Sequence, residues 1–213
     1  RDSKYRVINN LPGFPKFCPM IRKTKRLETM VAKDLRAQIG LTLAQYDENL
    51  LRRAAGFLYL KETQSSFEVE REKPSPSKAQ RFANMLKEAD STIPLTEARF
   101  TQLQNAALDP RFHEYSWRQQ QNWVGKDHGY RQQIDFIPPR PEDLPDLMDG
   151  LINTVSLCSK EAMENIKDDE SSHQFDPVVL AAAISFGFVF IHPFMDGNGR
   201  IHRYLIHDVL ART

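Results

Sequence analysis

Cysteine, an excess charge of one sign and long apolar runs are all scarce in this sequence of 213 residues. The two cysteines, Cys18 and Cys158, exclude a disulfide scaffold and leave no Cys-x-x-Cys pair for zinc or redox chemistry. We therefore expect a reducing, intracellular setting. The 29 Lys and Arg nearly balance the 28 Asp and Glu, which argues against a general nucleic-acid or membrane-surface binder.

No apolar run has the length of a membrane span. The longest, residues 178–191, is interrupted by Ser185 and Gly187 and is shorter than the roughly 20 residues that a span needs. We expect it to form a buried core helix. The chain begins at Arg1 and ends at Thr213 inside a helical pattern, so we expect a fragment of a longer protein, cut at its carboxyl end.

Apolar spacing predicts a mostly helical chain. The prolines of residues 1–20 predict an irregular arm, and residues 21–60 favour helices that divide at Gly40. A linker is expected at residues 74–77, with Ser77 capping the helix that follows. Further helices are expected at residues 95–108, beginning at Thr96, and at residues 142–170 and 175–190.

The pattern changes between residues 116 and 139. Trp123, Val124 and Gly125 precede a polar turn at residues 126–129, and Ile134 and Phe136 follow it. A glycine-containing turn between two β-favouring segments predicts a short, exposed hairpin.

The most informative segment reads HPFMDGNGRIHR and runs from His192 to Arg203. Two glycines flank Asn198, so backbone amides can converge there and a ligand can approach without obstruction by a Cβ atom. A helical pattern resumes at about Asn198, which would add the positive end of a helix dipole. The segment therefore predicts a phosphate cradle.

The charged residues of this segment suit a polyphosphate. Arg200 and Arg203 are three residues apart and share one helix face, where two guanidinium groups could hold two further phosphates. Asp196 is a candidate oxygen ligand for Mg²⁺. His192 is the nearby side chain that suits proton transfer at neutral pH.

Two other known loop motifs do not fit. An EF-hand would need a ligand where Arg200 stands, a glycine in place of Ile201 and a bidentate Glu in place of His207. A Walker-type loop would need Gly-Lys-Ser or Gly-Lys-Thr, which does not follow the glycines.

The segment resembles the signature of Fic domain proteins, His-x-Phe-x-Asp/Glu-Gly-Asn-Gly-Arg-x-x-Arg, with every specified position filled. The resemblance implies an all-α, Fic-type helical bundle that transfers AMP from ATP to a hydroxyl of a target protein. It implies that His192 is the general base, that Asp196 holds Mg²⁺, and that Phe194 anchors the loop in the core. The nucleotide-binding residues would be Gly197, Asn198 and Gly199 as the anion hole, with Arg200 and Arg203 on the β- and γ-phosphates.

The hairpin is similar to the flap of this family, which registers the target beside the site by strand pairing. The residues that carry this likeness are Trp123, Val124, Gly125, Ile134 and Phe136. The alternative is a surface hairpin without a function. Altogether the resemblance covers about residues 60–213, so we expect an arm and helical extension at 1–60 and a Fic-type domain at 61–213.

A segment before the bundle, on a helix expected near residues 61–72, resembles the Fic inhibitory motif, Ser/Thr-x-x-x-Glu-Gly/Asn. Ser66 and Glu70 fill its first two specified positions, but Arg71 stands where Gly or Asn is expected. The resemblance implies that Glu70 pairs with Arg203 and withholds that cation from the γ-phosphate. A register on Glu68 places Gln64 at the Ser/Thr position and fits less well, and a solvated helix end is the third alternative.

The sequence thus favours an autoinhibited protein adenylyltransferase that uses ATP and Mg²⁺ on a Ser, Thr or Tyr of a partner protein. The absence of a signal segment, together with the ATP supply that the motif would need, favours a cytoplasmic location. Self-modification and a homo-oligomer stay open, whereas a membrane or nucleic-acid partner is not expected. Removal of AMP, with Glu70 positioning water, is an alternative, as is a non-catalytic nucleotide sensor, against which His192 argues. Relatives also transfer UMP, phosphocholine or phosphate, but the intact Gly199-Arg200-x-x-Arg203 favours AMP transfer.

Overall fold

The computed structural model describes residues 4–6, 13–89, 92–164 and 176–213, without the side chains of 160–164. The expected class is confirmed, since helices dominate the described residues and are accompanied by one antiparallel strand pair. Contacts divide the chain into two compact units, residues 21–88 and residues 1–20 with 89–213. Within the described residues, no helix has the length and apolarity needed to cross a membrane.

The unit of residues 21–88 contains α1 (Lys25–Val31), α2 (Leu35–Leu43), α3 (Glu48–Val69) and α4 (Pro76–Lys87). The expected division at Gly40 is wrong, because α2 runs through this residue. Asp34 and Asp47 set the breaks instead, since each carboxylate caps a new helix by accepting the amide of Ala37 or Leu50. A glycine inside a helix costs only about 1 kcal/mol, which the helix tolerates.

Helices α3 and α4 pack through aromatic side chains. The rings of Phe67 and Phe82 meet edge to face with centroids 5.6 Å apart, and both are buried. The cap of α4 is Ser75 rather than the expected Ser77, because its hydroxyl accepts the amide of Lys78. Pro76 then occupies the first helical turn, where its missing N–H donor is not needed.

Helix α3 is continuous across residue 60, where the sequence suggested the end of the extension. The compact unit to which it belongs continues to residue 88. The boundary at residue 60 therefore stays a prediction about family coverage, and it does not coincide with a break in secondary structure.

The second unit contains α5 (Glu97–Ala107), β1 (Val124–Asp127), β2 (Gln132–Phe136), α6 (Leu144–Glu164), α7 (Pro177–Ile191) and α8 (Asn198–Arg212). Helix α5 begins as expected, because the Thr96 hydroxyl accepts the amide of Arg99 at 3.1 Å. The expected helix of residues 142–170 is confirmed up to residue 164, and its last six positions lie outside the described residues.

Helix α7 contributes to the core, as expected, but it is buried on one face only. Ile184 and Phe188 are fully buried, and the Phe188 ring stacks on Phe100 with centroids 5.2 Å apart. On the opposite face Val178 and Phe186 are exposed. The sequence pattern could not predict which face is exposed, because both faces of α7 carry hydrophobic side chains.

The amino-terminal arm packs on α6 and α7. Phe17 lies against Gly187, where an added Cβ would come within 2.4 Å of its ring. Its carbonyl oxygen accepts a hydrogen bond from the Thr154 hydroxyl at 3.1 Å, and Lys16 pairs with Asp146 at 2.8 Å. The described part of the arm is irregular, as the sequence suggested.

Strands β1 and β2 form the expected hairpin, which is exposed along most of its length. Val124 pairs with Phe136 and Gly125 with Ile134. In the turn, the Asp127 carboxylate accepts the amide of Gly129, whose φ is +78°. Glycine is favoured at this left-handed position.

Candidate active site

The connection between α7 and α8 carries the motif that the sequence singled out. His192 ends α7 as a left-handed C-cap with φ 55° and ψ 59°, and its amide donates to Phe188 O at 2.9 Å. Two residues later Phe194 is fully buried, and its ring lies 5.3 Å from that of Trp117. The buried ring anchors the loop as expected, while the helix end presents the imidazole.

The imidazole of His192 has a defined proton arrangement. Its Nδ1 lies 3.2 Å from the carbonyl oxygen of Val189, and because a carbonyl oxygen only accepts, Nδ1 must carry the hydrogen. Burial lowers the pKa of His192 and outweighs the hydrogen bond to Val189, which raises it, while the charge of Arg118 lowers it further and that of Asp196 raises it, both with smaller effects. At neutral pH the ring is therefore neutral, with Nε2 as an acceptor.

Residues 114–122, which we call the support segment, bind the backbone of the motif loop. The carbonyl oxygens of His192, Pro193 and Phe194 accept hydrogen bonds, in that order, from the Arg118 side chain at 2.9 Å, the Arg118 amide at 2.8 Å and the Asn122 side chain at 3.1 Å. Three successive peptide groups are thus held by two residues.

A carboxylate accepts the next two backbone amides of the loop. Glu114 accepts the amide of Met195 at 2.9 Å and also the amide of Asp196. Its own amide donates to the side chains of Gln104 and Asn105, both on α5. Burial raises the pKa of Glu114, and the hydrogen bonds from the loop oppose that rise. The loop from residue 192 to 196 is therefore fixed from one side by the support segment.

Helix α8 begins at a tight glycine turn. Gly197 has φ +86°, and a Cβ there would lie 3.3 Å from the side chain of Leu108, so both conformation and space favour glycine. Asn198 closes the turn, because its amide group accepts from Phe194 N at 3.1 Å and donates to Phe194 O at 2.7 Å. The side chain of Asn198 therefore links the loop to the first residue of α8.

The first turn of α8 has the properties of an anion site. The amides of Asn198 and Gly199 occupy the first two helical positions, where a helix supplies no carbonyl partner. Arg200 and Arg203 lie on the same helix, the first buried and the second half-buried. These groups could meet an extended polyphosphate.

Asp196 lies just before this turn with its side chain exposed, and one carboxylate oxygen accepts the amide of Gly197 at 2.6 Å. Among the described residues, no cluster of three or more His, Cys, Asp or Glu could hold a metal ion. A single carboxylate nevertheless fits Mg²⁺, which commonly binds through one or two carboxylates together with substrate phosphates.

All motif and hairpin residues belong to one compact unit, whereas Ser66 and Glu70 belong to the other. Glu70 is the C-cap of α3, and Arg71 follows in the left-handed conformation with φ 55°. The amides of Arg71 and Glu72 donate to Glu68 O and Phe67 O, which is the Schellman pattern. The position after Glu70, where the inhibitory motif has Gly or Asn, is thus a residue in the left-handed conformation at the end of α3. In this chain Arg71 adopts that conformation.

Sequence reasoning missed Glu114, Arg118 and Asn122. Their partners in the motif loop are main-chain atoms 72 to 81 positions away. No spacing rule or side-chain pattern marks such contacts, because the backbone looks the same at every residue.

The sequence model of the Fic/DOC family matches residues 94–210 of this chain. The curated protein adenylyltransferase Fic of Nematostella vectensis is 39% identical over 79 residues, 37% of this chain and 16% of that protein. Its counterpart in Drosophila mojavensis is 38% identical over 77 residues, 36% of this chain and 13% of that protein. The matched region is therefore a small part of the length of these relatives.

Solved structures give the same result. A Fic domain containing signaling protein from Bacteroides thetaiotaomicron VPI-5482 aligns with a TM-score of 0.64 and 25% identity, over 85% of this chain and 72% of that one. A Fic family protein from Desulfovibrio desulfuricans G20 shares the fold, with a TM-score of 0.54 and 17% identity over 92% and 60% of the two chains. With more than half of its residues matched by the family model, this chain belongs to the Fic/DOC family.

Proposed function

We propose that this chain is a protein adenylyltransferase that transfers AMP from ATP to a Ser, Thr or Tyr hydroxyl of a target protein. The carrying observation is the neutral imidazole of His192, with Nδ1–H donated to Val189 O, placed one short loop before the amino terminus of α8. A base and an anion site in this order suit a reaction in which a hydroxyl attacks a phosphate. The name of the curated relatives, protein adenylyltransferase, agrees with this chemistry.

In the proposed reaction, Nε2 of His192 takes the proton of the target hydroxyl. The hydroxyl oxygen bonds to the α-phosphorus of ATP, the bond from that phosphorus to the bridging oxygen breaks, and pyrophosphate leaves. The amides of Asn198 and Gly199, placed by the turn at Gly197, would stabilise the phosphate charge together with the two arginines of α8. Mg²⁺, held by Asp196, would neutralise part of this charge when bound.

The hairpin is the proposed docking place for the target. Each strand of a two-stranded sheet has one edge with unpaired backbone groups, which an extended peptide can join by β-augmentation. The docking residues would be those that the sequence suggested, namely Trp123, Val124, Gly125, Ile134 and Phe136. Trp123 directly precedes β1, and the other four lie within the strands.

We also infer that Glu70 restrains the enzyme by pairing with Arg203 and withholding it from the γ-phosphate. Support comes from the helix end itself, since the Schellman turn gives Arg71 the backbone conformation that Gly or Asn would supply in the inhibitory motif. Glu68 lies inside α3, before this turn. Glu70, at the cap, is therefore the better candidate for the inhibitory carboxylate.

The test is transfer of label from α-³²P-ATP with Mg²⁺ to the protein itself and to a cell lysate. Three forms are compared: the parent, Glu70→Gly, and Glu70→Gly with His192→Ala. We expect weak labelling of the first, strong labelling of the second and a loss of about 10²- to 10⁴-fold in the third, since a positioned base contributes that much.

Each other outcome has a definite meaning. Equal labelling of parent and Glu70→Gly would remove the restraint but leave AMP transfer. Normal labelling of the His192→Ala form would show that the base is wrong. Absence of label in all three, with normal ATP binding, would contradict AMP transfer and favour AMP removal or a nucleotide sensor.

A further inference from the structure

Arg118 connects the motif loop to both ends of the hairpin. Its Nε donates to His192 O at 2.9 Å, while Nη1 donates to Gln120 O at 2.8 Å and Nη2 donates to Pro139 O. Gln120 lies before β1 and Pro139 lies after β2. The buried guanidinium of Arg118 thus binds three backbone segments. The backbone amide of Arg118 binds a fourth group, Pro193 O.

Two neighbours extend this arrangement. Asn122 donates to Phe194 O at 3.1 Å, and Gln121 donates to Pro138 O at 3.0 Å. We call residues 120–122 with 138–139 the hairpin base. Because the donors come from a planar fork with fixed angles, a displacement of the hairpin base must move the carbonyl of His192 or break a charge-assisted hydrogen bond.

We propose that Arg118 is a positioning residue that fixes the imidazole of His192 relative to the target-binding hairpin. The proposal rests on the AMP transfer proposed above, because it holds that one side chain fixes the base relative to the hairpin that binds the target. Arg118 has no contact with the reacting atoms in this scheme. It acts through the carbonyl of the residue that carries the base.

The charge of Arg118 also acts on the base. This cation lies near His192 and contributes to its lowered pKa, together with burial. Substitution with Lys keeps a positive charge but cannot reproduce the three-way fork, and substitution with Met removes both charge and fork. The two variants therefore separate position from charge.

The experiment measures AMP transfer and the titration of His192 in the same proteins, all carrying Glu70→Gly. The His192 signal is identified among the six histidines by its absence in the His192→Ala protein. Arg118→Lys should lower kcat by about 10- to 100-fold with KM for ATP unchanged, because a misplaced base slows chemistry but not nucleotide binding. The pKa of His192 should stay at the parental value in Arg118→Lys and rise in Arg118→Met.

Hydrogen exchange supplies a readout that needs no activity. Peptides covering residues 124–136 and 192–197 should both exchange faster in Arg118→Met. The matched control is Arg140→Met, because Arg140 is exposed and forms a local ion pair with Asp143 at 3.0 Å. This control should leave kcat, the His192 titration and the exchange pattern unchanged.

Several outcomes would overturn the proposal. They are an unchanged kcat in both Arg118 variants, a fall in kcat that only parallels a loss of folded protein, or faster exchange in one of the two peptides alone. If Arg118→Met does not fold, Arg118→Lys gives the decision, since it keeps a positive charge at this position, and an unchanged kcat in that variant overturns the proposal. If the Glu70→Gly protein transfers no AMP, the proposed function fails, while titration and exchange still decide the role of Arg118.

Discussion

The Nδ1 atom of His192 lies 3.2 Å from the carbonyl oxygen of Val189, one helical turn earlier in α7. The helix end thus selects the tautomer, and burial keeps the ring neutral by lowering its pKa. A base is active in its neutral form, so its activity is lost as pH falls through the folded-state pKa.

The first prediction concerns this pH dependence. We expect the acid limb of kcat/KM to lie below pH 6.5, the ordinary value for histidine. Because the pKa of His192 is lower in the folded chain, the unfolded chain binds more protons as pH falls below about 6.5. The contribution of His192 to stability is therefore present above about pH 6.5 and is lost as pH falls. A pH–rate profile and an NMR titration of the imidazole check it. An acid limb above 6.5 would contradict the lowered pKa.

The second prediction concerns the end of α3. Arg71 adopts φ 55°, a conformation that costs a non-glycine residue about 1–2 kcal/mol. Arg71→Gly should therefore raise the free energy of unfolding by about 0.5–1 kcal/mol, after the greater freedom of glycine in the unfolded chain is subtracted. Urea unfolding measures the gain.

The matched control for this change is Arg71→Ala. Alanine removes the same charge but keeps the penalty of a left-handed backbone, so it should give no gain. If Ala stabilises as much as Gly, the charge of Arg71 is responsible and the explanation from backbone strain is wrong.

The sequence was sufficient where the determining signal is local. Helix α5 with its Thr96 cap, the hairpin with its Gly129 turn, and the start of α8 all follow from side chains within a few residues. The errors at Gly40 and Ser77 are also local, since stronger capping residues stand nearby at Asp34, Asp47 and Ser75.

The site was only partly predictable for a different reason. The motif from His192 to Arg203 is contiguous, so its residues could be named from their order. The atoms that hold it, from Glu114, Arg118 and Asn122, come from a distant segment and bind main-chain groups. Such contacts arise only once the fold has brought the two segments together.

The third prediction concerns the contact between the arm and α7. An added Cβ at Gly187 would come within 2.4 Å of the Phe17 ring, so Gly187→Ala must displace that ring. We expect a loss of about 1–3 kcal/mol in the free energy of unfolding. In a Phe17→Ala background the same change should be neutral or stabilising, because the clash is gone and Ala favours helix.

A double-mutant cycle by urea unfolding measures this coupling. Gly56→Ala on α3 is the control, since no atom of the described residues lies within 4 Å of the added Cβ, and it should stabilise. Equal effects of Gly187→Ala with and without the Phe17 ring would show that the arm does not pack on α7.

The last prediction concerns a buried charge on α8. Asp208 is fully buried, accepts the Tyr204 hydroxyl at 3.1 Å and pairs with Arg212 at 2.6 Å. Asp208→Asn should cost about 3–5 kcal/mol, because it removes the buried negative charge that pairs with the Arg212 guanidinium. Tyr204→Phe, which removes the hydroxyl that donates to Asp208 and accepts from Arg99 at 3.4 Å, should cost less, about 1–2 kcal/mol.

Burial, together with the charge of Asp208, raises the pKa of Tyr204 to about 12. The Asp208→Asn variant should therefore show a lower tyrosine pKa by ultraviolet titration if it stays folded, as well as a lower urea midpoint. Equal losses in Asp208→Asn and Tyr204→Phe would mean that the ion pair with Arg212 contributes nothing beyond the tyrosine hydrogen bond. The stability of α8 would then rest on its apolar face, where Ile201 and Leu205 are fully buried.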